Sequence, residues 1–303
     1  DHGDDKEIRV LNRVLRWTAH GIMYEADPRH AEILAREVGA AGAAVRTPGA
    51  KGDKVKAGEA ESGKEELLDE AATRWFRSGA ARANYLAMDR PELAFATKEL
   101  CRRMSAPTVA DAAALRRVAR YLVDEPRLVY TFAWQQHGDF RVYVDTDFAG
   151  CLRTRKSTSG GCAMLGCHLI KHWSTTQKVV TLSSGEAELA GIVKGSAEAL
   201  GLQSLALDLG FEVQVRVYAD SSAAIGICKR SGIGRVRHLA VGQLWIQEKV
   251  RSGEIALCKV LGTENPADIL TKHVPRDTAD QLLRRVYLSR ETGRAESAPK
   301  AVR

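Results

Sequence analysis

The chain has 303 residues, of which 45% are hydrophobic and 27% are charged; it can form one or two ordinary cores, and its charge is too moderate for wholesale disorder. The formal net charge is +7 and the isoelectric point is about 9.1, which suits an anionic partner without identifying one. Six cysteines without a disulfide framework, and no apolar run long enough to cross a bilayer, are typical of a reduced intracellular protein that needs no membrane.

The first part of the chain predicts a short β segment followed by a helix. Apolar alternation in "EIRVLNRVLRW" gives way to a helical period after Asp27, which can cap the helix while Pro28 takes its first position. The sequence from Thr47 to Gly63 is rich in Gly, Lys and Glu and has almost no large apolar residue. Because such a segment cannot offset its ordering entropy by burial, we expect a mobile loop over about 47–63.

Three helical patterns follow, and they indicate a smaller, mainly helical domain over residues 1–136. They are "EELLDEAATRWFRSGAARANYLAM", "RPELAFATKELCRRMS" and "TVADAAALRRVARYLV". The last pattern opens with Thr108 and Asp111, which have the spacing of a capping box, and it continues with one apolar face. The pattern changes to alternating strands near residue 137, where we place a domain boundary.

The second part of the chain predicts an α/β domain with a mixed five-stranded sheet. Three strands on short connections favour antiparallel pairing, whereas two later strands separated by helices favour parallel pairing. The predicted elements are strands at 141–147, 160–167 and 168–174, a helix at 184–209, the strands "VQVRVYAD" and "EIALCKVL" with helices between them, and a helical region from about 266.

Acidic residues fall at the junctions between these elements. Asp145 ends the first strand and Asp220 ends the fourth, so their side chains should meet if the two strands are neighbours. Glu188 lies early in the long helix, and Asp268 begins the last helical region. Clustered carboxylates repel one another unless a hard cation neutralises them, and two Mg²⁺ ions about 4 Å apart support phosphodiester hydrolysis. Each acid could instead serve only as a cap or a strand end. Asp147, which shares a face of the strand with Asp145, could be a cap, an accessory ligand or a residue that supports a ligand.

Five motifs follow one another in the second part of the chain: "VDTDFAGCLRTRKSTSGGCAMLG", "KHWSTTQKVVTLSSGEAELAGI", "VYADSSAAIGI", "RVRHLAV" and "TENPADILTK". Together they resemble the ribonuclease H domain that ends the polyprotein of Ty1/copia-type retrotransposons. Upstream, "RANYLAMDRPELAFATKELCRRMSAP" and "LRRVARYLV" resemble, more loosely, the thumb and connection of the reverse transcriptase. The resemblance implies an RNase H-like domain over residues 137–290 and a thumb or connection remnant over 1–136. We expect a disordered tail over 291–303.

The resemblance also implies a set of four catalytic and metal-binding carboxylates. Asp145, Asp220 and Asp268 correspond to the three aspartates of the family. The family pattern of Glu, apolar, any residue and Ala favours Glu188 as the glutamate, although Glu186 stays an alternative on a different side of the helix. The implied cofactor is a pair of Mg²⁺ ions, for which Mn²⁺ can substitute.

The implied substrate is the RNA strand of an RNA–DNA hybrid, recognised through its minor groove and 2′-hydroxyls. Basic side chains near the site would contact phosphates without reading bases, although each could also be only a solvated turn charge. The candidates for nucleic-acid binding are Arg153, Arg155, Lys156, Ser157, Lys171 and Lys178. The implied protein partner is the remainder of a retrotransposon Pol polyprotein.

The chain departs from the family at a few positions. The aspartate of the family's K-H-I-D is Ala240 here, the preceding His238 is interpreted as structural, and D-N-Q-S-A is replaced by "DSSAA". None of these changes removes a proposed ligand. The chain has no tyrosine-x-aspartate-aspartate pair, so it should not polymerise DNA, and we expect a fragment of a longer polyprotein or a truncated copy of one.

Two hypotheses from different classes follow. The first is a divalent-metal-dependent endonuclease that hydrolyses the RNA strand of hybrids. The alternative is a non-enzymatic, degenerate retroelement fragment that binds nucleic acid or acts as a scaffold, which would show salt-sensitive hybrid binding without cleavage. A related nuclease such as a transposase or resolvase is a third possibility, against which the "ADILTK" motif argues.

Overall fold

A computed structural model of the chain describes residues 6–39, 44–50, 66–136, 138–232 and 245–300. The chain folds into two compact units. The first unit comprises Asp1–Trp134 together with Lys272–Arg303, and the second comprises Gln135–Thr271. Most of the predicted mobile loop, from residue 51 onward, lies outside the described residues, as does His238.

Ten strands and eight α-helices lie within the described ranges. The strands are β1 Glu7–Val10, β2 Arg13–Thr18, β3 Gly21–Glu25, β4 Arg127–Ala133, β5 Phe140–Asp147, β6 Thr158–Leu165, β7 His168–Thr176, β8 Val215–Ala219, β9 Ala256–Lys259 and β10 Leu288–Glu291. The helices are α1 Pro28–Val38, α2 Glu70–Leu86, α3 Pro91–Cys101, α4 Val109–Asp124, α5 Ser184–Asp208, α6 Ser222–Lys229, α7 Trp245–Arg251 and α8 Arg276–Arg285. Among these described helices, none has the length and apolar character required to cross a membrane.

The first unit contains a five-stranded antiparallel sheet in the order β1-β2-β3-β4-β10. The prediction of a smaller, mainly helical domain missed this sheet, and the first unit is the longer of the two. The physical reason is that β4 pairs with β3 and β10, which lie far away in the sequence, so local alternation gave no sign of the partners. The segment 272–290, predicted in the second domain, supplies α8 and all of β10 except Glu291 to the first unit.

The helix starts of the first unit follow the predicted capping signals. The Asp27 carboxylate accepts a hydrogen bond from the backbone N–H of Arg29, and Pro28 is the first residue of α1. Thr108 and Asp111 form the reciprocal hydrogen bonds of a capping box at the start of α4. The core of this unit includes the fully buried side chains of Phe76 and Leu115.

The residues that follow α8 are ordered by polar contacts within the first unit. Arg290 Nε donates to Asp280 Oδ1 at 2.6 Å, and Arg276 Nε donates to the other oxygen of the same carboxylate at 2.7 Å. Further along, the backbone N–H of Ser297 donates to Glu7 Oε1 at 2.9 Å, and Ala295 is buried. Residues 291–300, predicted as part of a disordered tail, therefore have defined contacts.

The second unit contains the mixed sheet, in the order β7-β6-β5-β8-β9. β5, β6 and β7 pair antiparallel, whereas β5 with β8 and β8 with β9 pair parallel. These pairings confirm the mixed α/β sheet predicted from the lengths of the connections.

The long helix α5 lies unusually close to β5 because a glycine faces the strand. A Cβ atom added to Gly195 would lie 2.4 Å from Val144 Cγ1, much closer than side chains can approach. Gly195 therefore allows the helix to pack directly on the central strand. This packing brings the first turns of α5 close to the end of β5.

Candidate metal centre

Three acidic side chains of the second unit come together at the ends of β5 and β8. One carboxylate oxygen from each of Asp145, Glu188 and Asp220 lies within 4.8 Å of the others. Asp145 and Glu188 are buried and Asp220 is half-buried. No other group of three His, Cys, Asp or Glu side chains in the described part of the chain is so close. These oxygens could hold a metal ion.

The parallel pairing of β5 with β8 accounts for the approach of the two aspartates. The register places Tyr143 opposite Tyr218, and the two rings stack with centroids 4.8 Å apart. Asp145 and Asp220 each lie two residues further along their chains, so they reach the same edge of the sheet. The two strands are neighbours, which is the condition under which the sequence predicted that the two aspartates meet.

The two candidate glutamates of α5 have different surroundings. Glu186 completes the start of the helix: its Oε1 accepts from the Ser183 hydroxyl at 3.1 Å, and its Oε2 accepts from the Leu182 backbone N–H at 3.0 Å. In return, Ser183 Oγ accepts from the Glu186 backbone N–H. Glu188 instead joins the acidic group. The structure therefore brings Glu188, not Glu186, to Asp145 and Asp220.

Asp147 is outside the acidic group and serves the strand pair. Its Oδ1 accepts a hydrogen bond from the backbone N–H of Thr158 at 2.5 Å, where β5 and β6 begin their ladder. This contact joins β5 to β6 at the point where Asp147 and Thr158 pair.

Asp268 is the predicted ligand that the structure does not place in the close group. It lies in a 3₁₀ helix, Pro266–Leu270, which packs against β5 and β6. Asn265 precedes this helix and is fully buried; its Nδ2 donates to the Val144 carbonyl at 2.8 Å. Thr271 follows it and donates from its hydroxyl to Asp145 Oδ2. The segment that carries Asp268 is thus fastened at both ends to the strand that carries Asp145.

Sequence reasoning missed Asn265 and Thr271. The Asn-Pro pair gave a signal for the start of a helix, and Asn265 Oδ1 does accept from the backbone N–H of Ala267. Nothing in the sequence indicated the contact of Asn265 with β5 or that of Thr271 with Asp145. Both contacts join residues more than a hundred positions apart.

The predicted phosphate-binding residues have unequal access to solvent. Arg153, Arg155 and Lys178 are exposed, and Lys156 is half-buried. Lys171 is exposed but pairs with Glu198, with Nζ 2.6 Å from Oε2.

Ser157 requires a correction. Its side chain has no exposed surface, and its Oγ accepts from the backbone N–H of Ala149 at 3.0 Å. Ser157 therefore joins the two ends of the β5–β6 connection through a buried hydrogen bond and cannot reach a phosphate in this structure. The sequence did not reveal this burial because a serine beside basic residues has the composition of an exposed turn.

The buried cysteines of the second unit do not offer thiolates. Burial raises the pKa of the Cys162 thiol to about 12, although a backbone hydrogen bond from Tyr143 opposes the shift. Burial also raises the pKa of Cys228 to about 12. Both side chains are therefore neutral thiols at neutral pH, and the candidate centre is made of carboxylates alone.

The chain is similar to curated Pol polyproteins of plant transposons. It is 29% identical over 218 residues to the Retrovirus-related Pol polyprotein from transposon RE1 of Arabidopsis thaliana, a match that covers 71% of this chain and 15% of the relative. Its identity to the corresponding protein from transposon RE2 of the same plant is 31% over 223 residues, covering 70% of this chain and 15% of the relative.

A third relative is the Retrovirus-related Pol polyprotein from transposon TNT 1-94 of Nicotiana tabacum. It is 32% identical over 190 residues, which cover 62% of this chain and 14% of the relative. No protein-family model matches the chain. The chain thus spans only about a seventh of the length of the curated relatives it matches.

Proposed function

Because the chain belongs to the Pol polyproteins of copia-type retrotransposons, we propose that its second unit is a ribonuclease H that hydrolyses the RNA strand of RNA–DNA hybrids. One observation carries this proposal: oxygens of Asp145, Glu188 and Asp220 lie within 4.8 Å of one another. The mixed sheet with its acidic edge supports the same assignment, since it is the arrangement that the family resemblance implies.

The chemistry of the donor set fits a hard divalent cation. All three groups are carboxylates, which suit Mg²⁺ and Mn²⁺, and no thiol or imidazole belongs to the group. Asp145, Glu188 and Asp220 would hold such ions. When bound, Mg²⁺ or Mn²⁺ would lower the pKa of a water molecule and neutralise charge that develops on the scissile phosphate.

We include Asp268 in the proposed site as the fourth carboxylate. Support comes from its segment, which Asn265 and Thr271 fasten to β5 on either side.

Basic side chains on the connections next to the site would bind the hybrid. Arg153 and Arg155 lie between β5 and β6, and Lys178 lies between β7 and α5, so both connections are at the acidic end of the sheet. Exposed cations at these places would attract the phosphate backbone without selecting a base sequence. Lys156 would add to them, and Lys171 would have to leave Glu198 to do so.

The position of Asp268 favours one alternative function. With only three carboxylates in the close group, the chain could be a degenerate element that binds nucleic acid without cutting it. Such a protein would bind hybrids through the same basic connections, and its affinity would fall steeply with salt.

A cleavage assay distinguishes the two functions. The purified chain is incubated with a hybrid whose RNA strand is labelled, in Mg²⁺, in Mn²⁺ and in EDTA, with single-stranded RNA and duplex DNA as controls. We expect fragments of the hybrid's RNA in Mg²⁺ or Mn²⁺ only, and none from Asp145→Asn. Equal cleavage by Asp145→Asn, or hybrid binding with no cleavage in either metal, would contradict the ribonuclease proposal.

A further inference from the structure

The hydroxyl of Thr271 donates a hydrogen bond to the carboxylate of Asp145, a member of the candidate metal centre. Thr271 has no exposed surface, and its Oγ1 donates to Asp145 Oδ2. Asp145 itself is only 4% exposed, so water has little access to compete for this oxygen. A hydrogen bond from a hydroxyl to a carboxylate is charge-assisted and strong, and a protein interior of low dielectric strengthens it further.

We propose that Thr271 is a positioning residue of the metal centre, which orients the Asp145 carboxylate toward Glu188 and Asp220. This role presupposes the divalent-metal centre proposed above. A carboxylate that is free to rotate about its last side-chain bond offers its two oxygens in many directions. Holding one oxygen with a hydroxyl removes that freedom and fixes where the other oxygen points. Partners of metal ligands commonly act in this way.

The position of Thr271 is itself fixed against the sheet. Gly160 pairs with Asp145 across β5 and β6, and a Cβ atom added to Gly160 would lie 2.6 Å from Thr271 Cγ2. The threonine methyl group therefore occupies the space that a side chain at residue 160 would need. On the other side of the 3₁₀ helix, Asn265 holds the Val144 carbonyl. Thr271 thus has a fixed methyl group and a hydroxyl directed at Asp145.

Thr271 also joins Asp145 to the backbone of Asp268. Its N–H and its hydroxyl both lie 3.3 Å from the Asp268 carbonyl oxygen, and the same hydroxyl donates to Asp145. One side chain therefore links the two predicted ligands that are most distant in the sequence. Because the single hydroxyl proton goes to Asp145, loss of the hydroxyl would loosen the Asp145 carboxylate, while the Thr271 N–H would keep its hydrogen bond to the Asp268 carbonyl.

Metal binding in the absence of substrate tests this role separately from catalysis. Thr271→Val keeps the shape and removes the hydroxyl, whereas Thr271→Ser keeps the hydroxyl and removes the methyl group. Thr97→Val is the matched control, because Thr97 is equally buried but donates to the Ala94 carbonyl in α3 of the first unit. Mn²⁺ binding to each variant of the 303-residue chain is measured by electron paramagnetic resonance or calorimetry, with melting temperature recorded alongside.

We expect Thr271→Val to weaken Mn²⁺ binding by about 10- to 100-fold, the usual effect of losing a partner of a metal ligand. Thr271→Ser should bind nearly as well as wild type, and Thr97→Val should be unchanged. Unchanged Mn²⁺ binding by Thr271→Val overturns the proposal. If Thr271→Val does not fold, Thr271→Ser decides: a folded serine variant that has lost Mn²⁺ binding overturns it as well.

The two proposals fail in distinguishable ways. If the wild-type chain binds Mn²⁺ and Thr271→Val does not, yet the wild-type chain cuts no hybrid, the positioning role is supported and the ribonuclease proposal is contradicted. A wild-type chain that cuts hybrids while Thr271→Val binds Mn²⁺ normally supports the ribonuclease and removes the positioning role. A wild-type chain that binds no Mn²⁺ removes the positioning role, since no metal centre would exist to be oriented.

Discussion

Glu186 and Glu188 lie two residues apart on α5, and their carboxylates have different partners. Glu186 accepts hydrogen bonds from the Ser183 hydroxyl and the Leu182 N–H, whereas Glu188 joins Asp145 and Asp220. Residues two apart on a helix do not share a face, so one helix start supplies both a capping contact and a member of the acidic group. The pair therefore allows the stability of the helix start and the proposed metal binding to be tested separately.

Alanine substitutions at these two glutamates should therefore affect different properties of the protein. Glu188→Ala should abolish Mn²⁺ binding and hybrid cleavage while leaving the fold intact, because it removes one of three clustered negative charges. Glu186→Ala should keep Mn²⁺ binding and lower the free energy of unfolding by about 0.5–1.5 kcal/mol for each hydrogen bond that it loses, while Ser183 stays in place as the N-cap. Mn²⁺ titration and urea unfolding of both variants provide the measurement. Loss of Mn²⁺ binding in folded Glu186→Ala, with retention in Glu188→Ala, would reverse the assignment.

Gly160→Ala should disturb the candidate metal centre by pushing the 3₁₀ segment that carries Asp268 and Thr271 away from β6. The new Cβ would lie 2.6 Å from Thr271 Cγ2, 2.8 Å from Leu270 Cβ and 3.1 Å from the Ala267 carbonyl oxygen. Because a backbone atom is among these neighbours, the 3₁₀ segment must move away from β6. We expect unfolding to become easier by about 1–3 kcal/mol, as in other overpacked sites, and Mn²⁺ binding to weaken.

The double variant Gly160→Ala with Thr271→Ser provides the control for this effect. It removes the methyl group that the new Cβ meets first, so part of the lost stability should return in a double-mutant cycle. Strictly additive losses in the cycle would show that the two positions do not press on each other.

Two glycines of α5 predict stability changes of opposite sign. Gly195→Ala places a Cβ 2.4 Å from Val144 Cγ1 and should cost about 1–3 kcal/mol through overpacking. Gly201→Ala meets no atom within 4 Å and should stabilise the helix by up to about 1 kcal/mol, because alanine has the higher helix propensity. Urea unfolding of both variants is the measurement. Equal effects would contradict the close approach of α5 to β5.

The lowered pKa of Glu7 should make the stability of the first unit depend on pH. Burial alone would raise the pKa of Glu7, but hydrogen bonds from Ser297 and Arg16 outweigh it and lower the pKa from 4.5 to about 2. A carboxylate with a depressed pKa stabilises the folded state fully above its unfolded pKa and loses that effect as the pH falls through its folded pKa. The stability difference between wild type and Glu7→Gln should thus shrink as the pH falls from about 4.5 to 2.

The partner of Glu7 provides a check on this window. Arg16 Nε donates to Glu7 Oε2 at 2.6 Å, so Arg16→Met should raise the pKa of Glu7 toward its ordinary value. The pH range over which the stability difference shrinks should then become narrower, because its lower limit, the pKa of Glu7 in the folded state, rises. A stability difference for Glu7→Gln that stays constant between pH 6 and 2 would argue against the depressed pKa.

The sequence was sufficient to predict the second sheet and three of its carboxylates, because the signals were local. Asp145 and Asp220 each end an apolar run, and connection length fixed whether their strands pair parallel or antiparallel. Glu188 was favoured over Glu186 by the family resemblance, whose pattern is Glu, apolar, any residue and Ala.

What the sequence did not show depends on contacts between distant residues. The pairing of Tyr130 with Leu288 joins β4 to β10, and no local pattern announces it. Thr271 looks like an ordinary residue after a helical turn until its hydroxyl is seen on Asp145. The burial of Ser157 and the separation of Asp268 from the acidic group are of the same kind, since both depend on how the β5–β6 connection and the 3₁₀ segment pack.

The return of the chain to its first unit after Thr271 has a consequence for biosynthesis. When β4 leaves the ribosome it can pair with β3, but its other edge has no partner until β10 is made. The whole second unit is synthesised in that interval and has all its own strands, so it can fold first. A nascent chain halted anywhere between residues 135 and 287 would expose one open edge of β4 and would be prone to pair with other chains. β10 thus completes a sheet whose other four strands precede the whole second unit in the chain.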